Sequence, residues 1–560
     1  MPKTSSSLQL PHRSPRPPKS MPPGRRLRPE LVDTLKAQRD KIQEICNISG
    51  VVGVSIAVID SGENIFQHNV GYRNLAKKEP VTSDTVFHIA SMTKSFTGVC
   101  IHRLRAEGKL KLDDLVQKHL PKVKNRDPVT TTVTIADLLG HRTGLQRADN
   151  IWLGSEGEVL INKDQTTAVF RHLRPQASLR SRFLYNNVCY ATLGEIILEL
   201  SGKPYHTYLK ENVLDPLNMT RTIVTKDGGL PGNSSLAYST LDNNEPYNVP
   251  LPGSSAITAM GSAGGLLSTA KDLSKYYKAL MRSWRREEQA ERSGCGTEEK
   301  KPMIDDVSWL FAPLQIMETP AFREKSYAAG WARSQLPTTV GDIGVNPGLV
   351  DKMPVLADGI TNSRLALWHQ GSLVGVTSFV MMLPETESAV VVLTNTMAKN
   401  DAADWIGQLL IETLLDSPVR HDYVHLASKS VDRAQEKFAE VNRRVQEGRK
   451  PGGPIRALSD YVGSFTGIGG VFCIEVKESK RGLEILFQGR ESQKYQLQHH
   501  HHDTFTWFMG WNEQIKKGRF VVFQPAFYMI RFGGEDGQGI TSLNWAYDAA
   551  MPEGEDFVKE

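Results

Sequence analysis

The sequence predicts an α+β protein: an antiparallel sheet flanked by helices with an inserted helical domain, followed by a smaller C-terminal β-barrel. Three observations support this fold class. Strand-like apolar runs lie at residues 51–72 and again at 364–395. The interval 87–330 is mostly helical in its apolar spacing, and short β-type runs fill residues 455–560. A sheet built from two distant parts of the chain accounts for this order.

The first segment, residues 1–29, is basic and rich in proline. It contains seven Lys or Arg, eight Pro and no Asp or Glu, so we expect it to be disordered. It lacks the apolar stretch of a secretory signal, which predicts a cytoplasmic protein; its Arg- and Ser-rich composition leaves organellar import open. The tail's positive charge exceeds the net charge of +5 for the whole chain. The remainder is therefore near neutral, which argues against a nucleic-acid partner.

Residues 30–420 contain the elements of the predicted sheet domain. A helix is expected at 30–46, and charged residues at 283–306 predict a surface excursion. Ser61-Gly62 is a hairpin signal between the first two strands. The predicted strands are 51–60, 63–72, 364–372, 376–384 and 388–395, and a helix at 404–415 follows them.

A charged helical linker is predicted at 421–454, where the chain ends in RKPGGP, and the barrel domain at 455–560. The barrel is predicted from seven short β-type runs at the spacing of an all-β domain. These runs are YVGSFTG, VFCIEVKES, LEILFQG, DTFTWFMG, RFVVFQP, FYMIRFGG and SLNWAYD.

The composition predicts no cofactor and no metal. Five cysteines are scattered without a CxxC pair, which is typical of a reducing compartment and of neither a disulfide framework nor a zinc site. The HHHHD run at 499–503 lies in an apparent strand, where we expect solvated histidines. No apolar run has the length of a membrane span.

The stretch FHIASMTKSFTG places Ser91 and Lys94 one helical turn apart in an apolar setting. Residues at i and i+3 share a helix face, so both side chains point the same way. A serine needs a base to attack a carbonyl. Lysine has a reference pKa of about 10.4 and becomes a base near neutrality only when desolvated or placed near another cation. Taken alone, Ser91 as an N-cap and Lys94 as a solvated charge are the more ordinary interpretation.

Five segments in order raise the Ser-x-x-Lys pair above chance. The chain lacks G-x-S-x-G, H-E-x-x-H and a P-loop. It resembles the serine β-lactamase and penicillin-binding protein-like family, in the branch of class C β-lactamases, D-alanyl-D-alanine carboxypeptidases and esterases. The segments that carry the resemblance are FHIASMTKSFTG, TIADLLGHRTGL, the FLYNN segment from 183 to 222, GSAGGLLSTAKDLSKYY and HQGS. The C-terminal domain resembles the lipocalin-like barrels appended to some members.

The resemblance implies three catalytic residues. Ser91 would be the acylated nucleophile, and Lys94 its base or the electrostatic partner of the base. Tyr185, in the Tyr-x-Asn motif, would act as general acid and base if neighbouring cations stabilise its phenolate. A core tyrosine is the structural alternative for Tyr185.

The resemblance also implies the binding residues. Asn187 would hold the acyl side of the substrate, and the backbone N–H groups of Ser91 and Ser372 would form the oxyanion hole. Gly371 would allow the strand edge to approach the substrate closely. His369 stands where the family has a lysine or a histidine; a buried strand-end histidine is the alternative interpretation. An imidazole is mostly neutral near pH 7, which favours substrates that lack a carboxylate.

The sequence therefore predicts a serine hydrolase or acyltransferase, with an esterase or transacylase as the favoured activity. Its substrate would be a small-molecule ester, thioester or amide, and natural-product metabolism is one setting for such an enzyme. A D-amino-acid peptidase or β-lactamase is the alternative of the same class, and a non-catalytic binding protein on the same fold is the alternative of another class. The sequence predicts no oligomeric state.

Overall fold

The computed structural model describes residues 29–123, 131–225, 229–294, 303–318, 321–534 and 539–560. The predicted tail lies outside these ranges except for Pro29, which opens the first helix. Cys295 and part of the predicted excursion at 283–306 also lie outside them.

The described residues form helices and strands that are numbered here in chain order. The helices are α1 (Pro29–Lys36), α2 (Arg39–Ser49), α3 (Thr93–Ala106), α4 (Val116–His119), α5 (Ile135–Leu139), α6 (Thr166–His172), α7 (Asn187–Ser201), α8 (Tyr205–Leu209), α9 (Gly261–Gly264), α10 (Ala270–Ser293), α11 (Val307–Leu310), α12 (Ala402–Leu414), α13 (Tyr423–Glu447) and α14 (Trp511–Lys516). The strands are β1 (Gly53–Asp60), β2 (Glu63–Asn74), β3 (Glu79–Pro80), β4 (Phe87–His88), β5 (Ile223–Val224), β6 (Ala237–Thr240), β7 (Pro246–Val249), β8 (Leu266–Ser268), β9 (Gln315–Ile316), β10 (Lys325–Tyr327), β11 (Ala332–Leu336), β12 (Thr338–Thr339), β13 (Val355–Leu356), β14 (Arg364–Leu373), β15 (Val376–Leu383), β16 (Ser388–Thr394), β17 (Thr396–Met397), β18 (Gly463–Gly467), β19 (Phe472–Ser479), β20 (Gly482–Phe487), β21 (Lys494–Gln496), β22 (Gln498–His501), β23 (Thr504–Thr506), β24 (Met529–Gly533), β25 (Ser542–Trp545) and β26 (Glu555–Lys559).

The central sheet joins the two ends of the predicted sheet domain. Its order is β3-β2-β1-β16-β15-β14-β11-β10-β9, and β1 pairs antiparallel with β16 from Val54 opposite Thr394 to Ile59 opposite Ala389. The helical segments of the insertion leave the sheet after β3 and return to it at β9. This arrangement confirms the predicted fold class.

The inner strands of this sheet are buried on both faces because helices cover each side. Ile59, Val391 and Leu393 face a core shared with α3 and α10. Their neighbours Val58, Val390 and Val392 face a second core shared with α1, α2 and α12. This double burial explains the nearly continuous apolar sequence of β1, β15 and β16.

Two predicted elements of this domain differ from the structure. The helix expected at 30–46 is divided into α1 and α2. The expected excursion at 283–306 begins as the last turns of α10, which ends at Ser293. The charged residues of these turns have specific partners. Glu287 accepts hydrogen bonds from the backbone N–H groups of Val307 and Ser308, and Arg285 pairs with Glu387.

The C-terminal strands form a nearly closed barrel in the order β21-β20-β19-β18-β26-β25-β24-β23-β22. Its edge strands, β21 and β22, follow each other in the chain. Aromatic rings pack its interior, with Phe487 stacked on Trp545 at 4.6 Å and Trp507 at 4.9 Å from Phe527. The run RFVVFQP forms no strand, and the histidine run lies in and just after β22, where His500 is buried instead of solvated.

Within the described ranges, no helix combines the length and apolar character that crossing a bilayer requires.

Candidate active site

Ser91 and Lys94 lie at the start of α3, where the sequence places them. A short 3₁₀ turn, Ala90–Met92, leads into the helix. The Lys94 side chain is fully buried, and its Nζ lies 3.1 Å from Ser91 Oγ, 2.7 Å from Asn187 Oδ1 and 2.8 Å from the carbonyl oxygen of Ala263. The amide and carbonyl oxygens can only accept hydrogen bonds. A neutral amine would donate its two N–H groups to them and direct its lone pair at Ser91.

Burial lowers the pKa of Lys94 to about 7. Asp149 opposes this effect and Arg147 adds to it. A substantial fraction of Lys94 is therefore unprotonated near neutral pH, as a base for Ser91 must be.

Tyr185 hydrogen-bonds to the side chain of Ser91. The Nζ atom of Lys94 is 4.9 Å from the centre of the Tyr185 ring. Burial raises the pKa of Tyr185, and this effect outweighs the opposing ones of Ser91 and Arg147. The structure thus favours a neutral phenol, in contrast to the phenolate that the sequence analysis requires.

Asn187 links the lysine to a carboxylate. Its Nδ2 donates to Asp149 Oδ1 at 2.8 Å while its Oδ1 accepts from Lys94. It is the first residue of α7, whose N-cap Asn186 accepts from the backbone N–H of Cys189. The helix start therefore fixes the position of the amide.

Strand β14 brings Gly371 and Ser372 against the turn that carries Ser91. A Cβ atom at Gly371 would lie 2.4 Å from the carbonyl oxygen of Ile89, so only glycine permits this approach. Pairing of β14 with β11 ends at Trp368 opposite Ala332. In the described part of the chain, the edge beyond Trp368 on that side has no partner strand, which leaves it open for a substrate.

His369 is buried and held by two hydrogen bonds. Its Nε2 lies 2.9 Å from the Tyr327 hydroxyl, and its Nδ1 lies 2.5 Å from the carbonyl oxygen of Gln370. Burial lowers the pKa of His369 to about 3, with a further lowering by Lys94. The imidazole is neutral, so Nδ1 donates to the carbonyl and Nε2 accepts from Tyr327. Its ring centre is 6.1 Å from that of Tyr185.

A loop contributes two charged residues that sequence reasoning missed, Arg147 and Asp149. Their side chains form an ion pair with an N–O distance of 3.0 Å. The guanidinium carbon of Arg147 lies 5.7 Å from the Tyr185 ring centre, and its side chain is half exposed. The site therefore has a cation at its mouth. Arg147 stands in no motif, so no sequence signal identified it.

Two further missed residues, His141 and Tyr327, pack under the Tyr185 ring. His141 lies 4.4 Å from it between ring centres and accepts the backbone N–H of Asn186 at 3.1 Å. Burial lowers the pKa of His141 well below its usual range. This neutral aromatic cluster supports Tyr185 from below.

An open groove of about 820 Å³ begins beside Phe183, whose ring centre is 6.4 Å from that of Tyr185. Its walls are residues 180–183 and 313–318. Among the described residues, no group of three or more His, Cys, Asp or Glu side chains could hold a metal ion.

Known proteins resemble this chain in sequence and in fold. The β-lactamase family model matches residues 38–413. Protein flp of Staphylococcus aureus strain N315 is 31% identical over 217 residues, which make up 37% of this chain and 42% of that protein. The unguisins hydrolase ungD' of Aspergillus campestris is 24% identical over 387 residues, 65% of this chain and 62% of that protein. The chain thus spans less than two thirds of the length of these curated relatives.

Two solved structures have a similar fold. The octameric penicillin-binding protein homologue from Pyrococcus abyssi gives a TM-score of 0.54 at 22% identity, over 94% of this chain and 100% of that one. A class C β-lactamase mutant gives 0.51 at 20% identity, over 69% of this chain and 97% of that one. The family match covers most of the chain and agrees with this fold. The chain is therefore a member of the β-lactamase family, whose fold is that of serine hydrolases.

Proposed function

We propose that this protein is a serine hydrolase or acyltransferase that acts on a small-molecule ester, thioester or amide through an acyl-Ser91 intermediate. The observation that carries the proposal is the buried Lys94 amine, 3.1 Å from Ser91 Oγ, with its other two neighbours both obligate acceptors. Burial brings its pKa to about 7. This is the range in which a general base is effective at neutral pH.

The proposed acylation step moves one proton and exchanges one bond. Ser91 Oγ bonds to the acyl carbon as its proton passes to Lys94 Nζ. That proton is delivered through the Tyr185 hydroxyl to the leaving oxygen, sulfur or nitrogen, and the bond to the leaving group breaks. The backbone N–H groups of Ser91 and Ser372 would stabilise the oxyanion.

Deacylation would follow the same path in reverse. Water or an alcohol loses a proton through Tyr185 to Lys94 and its oxygen bonds to the acyl carbon; the bond from that carbon to Ser91 Oγ breaks, and Ser91 Oγ takes the proton from Lys94. Asn187 would hold the acyl side, and the groove beside Phe183 offers space for the rest of the substrate. The relative from Aspergillus campestris is called a hydrolase of unguisins, which supports hydrolysis over transfer.

A D-amino-acid peptidase or β-lactamase remains the second candidate because Arg147 supplies a cation beside Tyr185. Such substrates carry a carboxylate that a guanidinium can bind. We expect the wild type to favour a methyl ester over its matched free carboxylate in kcat/KM. A preference for the carboxylate that Arg147→Gln abolishes would support the second candidate instead.

The main test is intact-mass analysis after exposure to activated acyl esters, thioesters and β-lactams. We expect a single acyl adduct that maps to Ser91 and disappears in Ser91→Ala. Ser95→Ala is the matched control, since Ser95 lies one turn further along α3 and donates to the backbone oxygen of Met92; it should acylate normally. An adduct that persists in Ser91→Ala, or no adduct with any compound, would overturn the proposal.

A further inference from the structure

We propose that Tyr547 and Asp548 of the C-terminal barrel are positioning residues for the active site, because they hold the loop at residues 146–150 in its working geometry. This inference rests on the proposed function of Ser91. It assigns the barrel a defined role in catalysis by the other domain.

The barrel contacts the loop through three hydrogen bonds. Gln146 Nε2 donates to the Tyr547 hydroxyl at 2.7 Å, and Asn150 Nδ2 donates to the Tyr547 backbone oxygen at 2.6 Å. The backbone N–H of Ala148 donates to Asp548 Oδ2 at 2.9 Å. Of these side chains, Gln146, Tyr547 and Asp548 are buried, where hydrogen bonds are strong and their loss is costly.

The barrel residues are themselves fixed. Asp548 Oδ1 accepts the backbone N–H of Ala550 at 3.0 Å, so both carboxylate oxygens are engaged. The Tyr547 hydroxyl donates to Glu555 Oε2 at 2.6 Å while it accepts from Gln146. The contact is therefore a rigid one rather than a chance approach of two surfaces.

The loop carries groups that touch the proposed catalytic residues. Asp149 accepts from Asn187, which in turn accepts from Lys94. Arg147 lies beside the Tyr185 ring. A shift of the loop would therefore change the electrostatic environment of Lys94 and Tyr185 together.

The loop also needs an external support. Ala148 is fully buried and has φ 51°, in the left-handed region that disfavours residues other than glycine. Its N–H is satisfied by Asp548 of the barrel. The strained conformation persists because surrounding contacts determine it.

The expected effect on Lys94 has a defined sign. The charged or titratable groups that act on or face Lys94 are Asp149, Arg147, Cys189, Tyr185, Tyr190, His141 and His369. Among the charged pair from the loop, Asp149 raises the pKa of Lys94 more than Arg147 lowers it. As long as Lys94 itself stays buried, displacement of this pair should therefore lower the pKa of Lys94, so that its free amine persists to lower pH.

The test compares acylation rates of wild type, Tyr547→Phe and Asp548→Asn from pH 5 to 9 with an activated acyl ester. Tyr547→Phe keeps the ring and removes the hydroxyl; Asp548→Asn keeps the size and replaces one of two acceptor oxygens by a donor. Tyr461→Phe is the matched control, because its buried hydroxyl donates to Asp503 within the barrel and not to the loop. Each rate is normalised to the number of Ser91 side chains that are acylated at the end of the reaction, so that misfolded protein does not contribute.

We expect the plateau acylation rate of both variants to fall about tenfold to a hundredfold, as it does when catalytic groups are misplaced. We also expect the acid limb of their pH–rate profiles to lie at lower pH than in the wild type. Tyr461→Phe should match the wild type in its plateau rate and in the position of its acid limb. Unchanged rates and limbs in Tyr547→Phe and Asp548→Asn, or equal changes in Tyr461→Phe, would overturn the positioning role. If the wild type itself forms no adduct, the proposed function fails instead, so the two failures are distinguishable.

Discussion

Lys94 occupies an unusual position for a lysine, since its side chain is fully buried and, among the residues that the structure describes, no carboxylate is hydrogen-bonded to it. Asp149 acts on the Lys94 amine from a distance, since its hydrogen bond is to Asn187, which in turn accepts from Lys94. Burial therefore prevails, and the pKa of Lys94 falls to about 7. A carboxylate in direct contact would stabilise the ammonium and remove its capacity to act as a base.

The shared role proposed for Lys94 and Tyr185 leads to a prediction on single and double variants. We expect Lys94→Met and Tyr185→Phe each to lower the acylation rate by about 10²–10⁴, the range typical of general acid–base groups. The double variant should be hardly worse than the poorer single one, because the two groups move the same proton. Pre-steady-state acylation of Ser91 measures all three.

Lys36→Met is the matched control for this experiment, since Lys36 is half exposed on α1. It should acylate like the wild type. Losses that multiply in the double variant would show that Lys94 and Tyr185 act separately, and would contradict a single proton path.

Residue spacing predicted part of the site. Ser91 and Lys94 lie within one turn of one helix, and Tyr185 and Asn187 flank a helix start, so local geometry alone places each pair. The Arg147–Asp149 pair, His141 and Tyr327 come from loops and a strand far apart in the chain. Only tertiary packing brings them to Tyr185, and their residue types carry no periodic signal.

Among the elements, β1 and β14–β16 were predictable because burial on both faces leaves few polar interruptions. The run RFVVFQP has strand composition but no partner strand. The Tyr528 hydroxyl instead accepts the N–H of Val522 and donates to its carbonyl oxygen. A side chain thus takes the hydrogen bonds that a neighbouring strand would have supplied, which composition cannot reveal.

Helix α3 approaches the turn at residues 328–330 so closely that its glycine has a testable role. A Cβ at Gly98 would lie 2.5 Å from the backbone oxygen of Ala329, which cannot swing aside as a flexible side chain would. Glycine to alanine in an open helix stabilises by up to about 1 kcal/mol, whereas overpacking costs about 1–3 kcal/mol. We expect Gly98→Ala to lower the urea midpoint and to slow acylation, since Lys94 lies one turn away.

Gly453→Ala is the control for Gly98→Ala. Among the described residues, no atom beyond its chain neighbours lies within 4 Å of a Cβ added at Gly453, and its φ is not positive. Its midpoint and acylation rate should equal those of the wild type. A Gly98→Ala protein that is as stable as the wild type would show that the helix and the turn can separate without loss.

At the scale of the whole molecule, the domain that carries Ser91 contacts the C-terminal part of the chain on two sides. Helix α13 packs on α2 and α12 of the sheet domain and reaches the barrel, where the backbone oxygen of Val445 bonds His500 Nε2 at 2.7 Å. On the other side the barrel contacts residues 155–160. The Gln493 side chain accepts a hydrogen bond from the backbone N–H of Ser155 and donates one to its carbonyl oxygen. Removal of the barrel should therefore disturb the geometry of the candidate active site as well as the contacts between the two domains.

The buried Lys94 also affects global stability, and its sign can be worked out. The folded-state pKa of about 7 lies below the ordinary value of 10.5, so between these values the unfolded chain binds the extra proton. The destabilising contribution is full below pH 7 and declines as pH rises towards about 10.5. Each unit of pKa difference corresponds to about 1.4 kcal/mol. We therefore expect Lys94→Met to unfold at higher urea concentration than the wild type at pH 6, with an advantage that shrinks at pH 7.5 and falls to about a third of its pH 6 value at pH 9.5. Lys36→Met, at a half-exposed position on α1, is the control whose midpoints should follow those of the wild type. Parallel midpoints for wild type and Lys94→Met across this range would mean that Lys94 remains protonated when folded, and the proposed base would have to be another group.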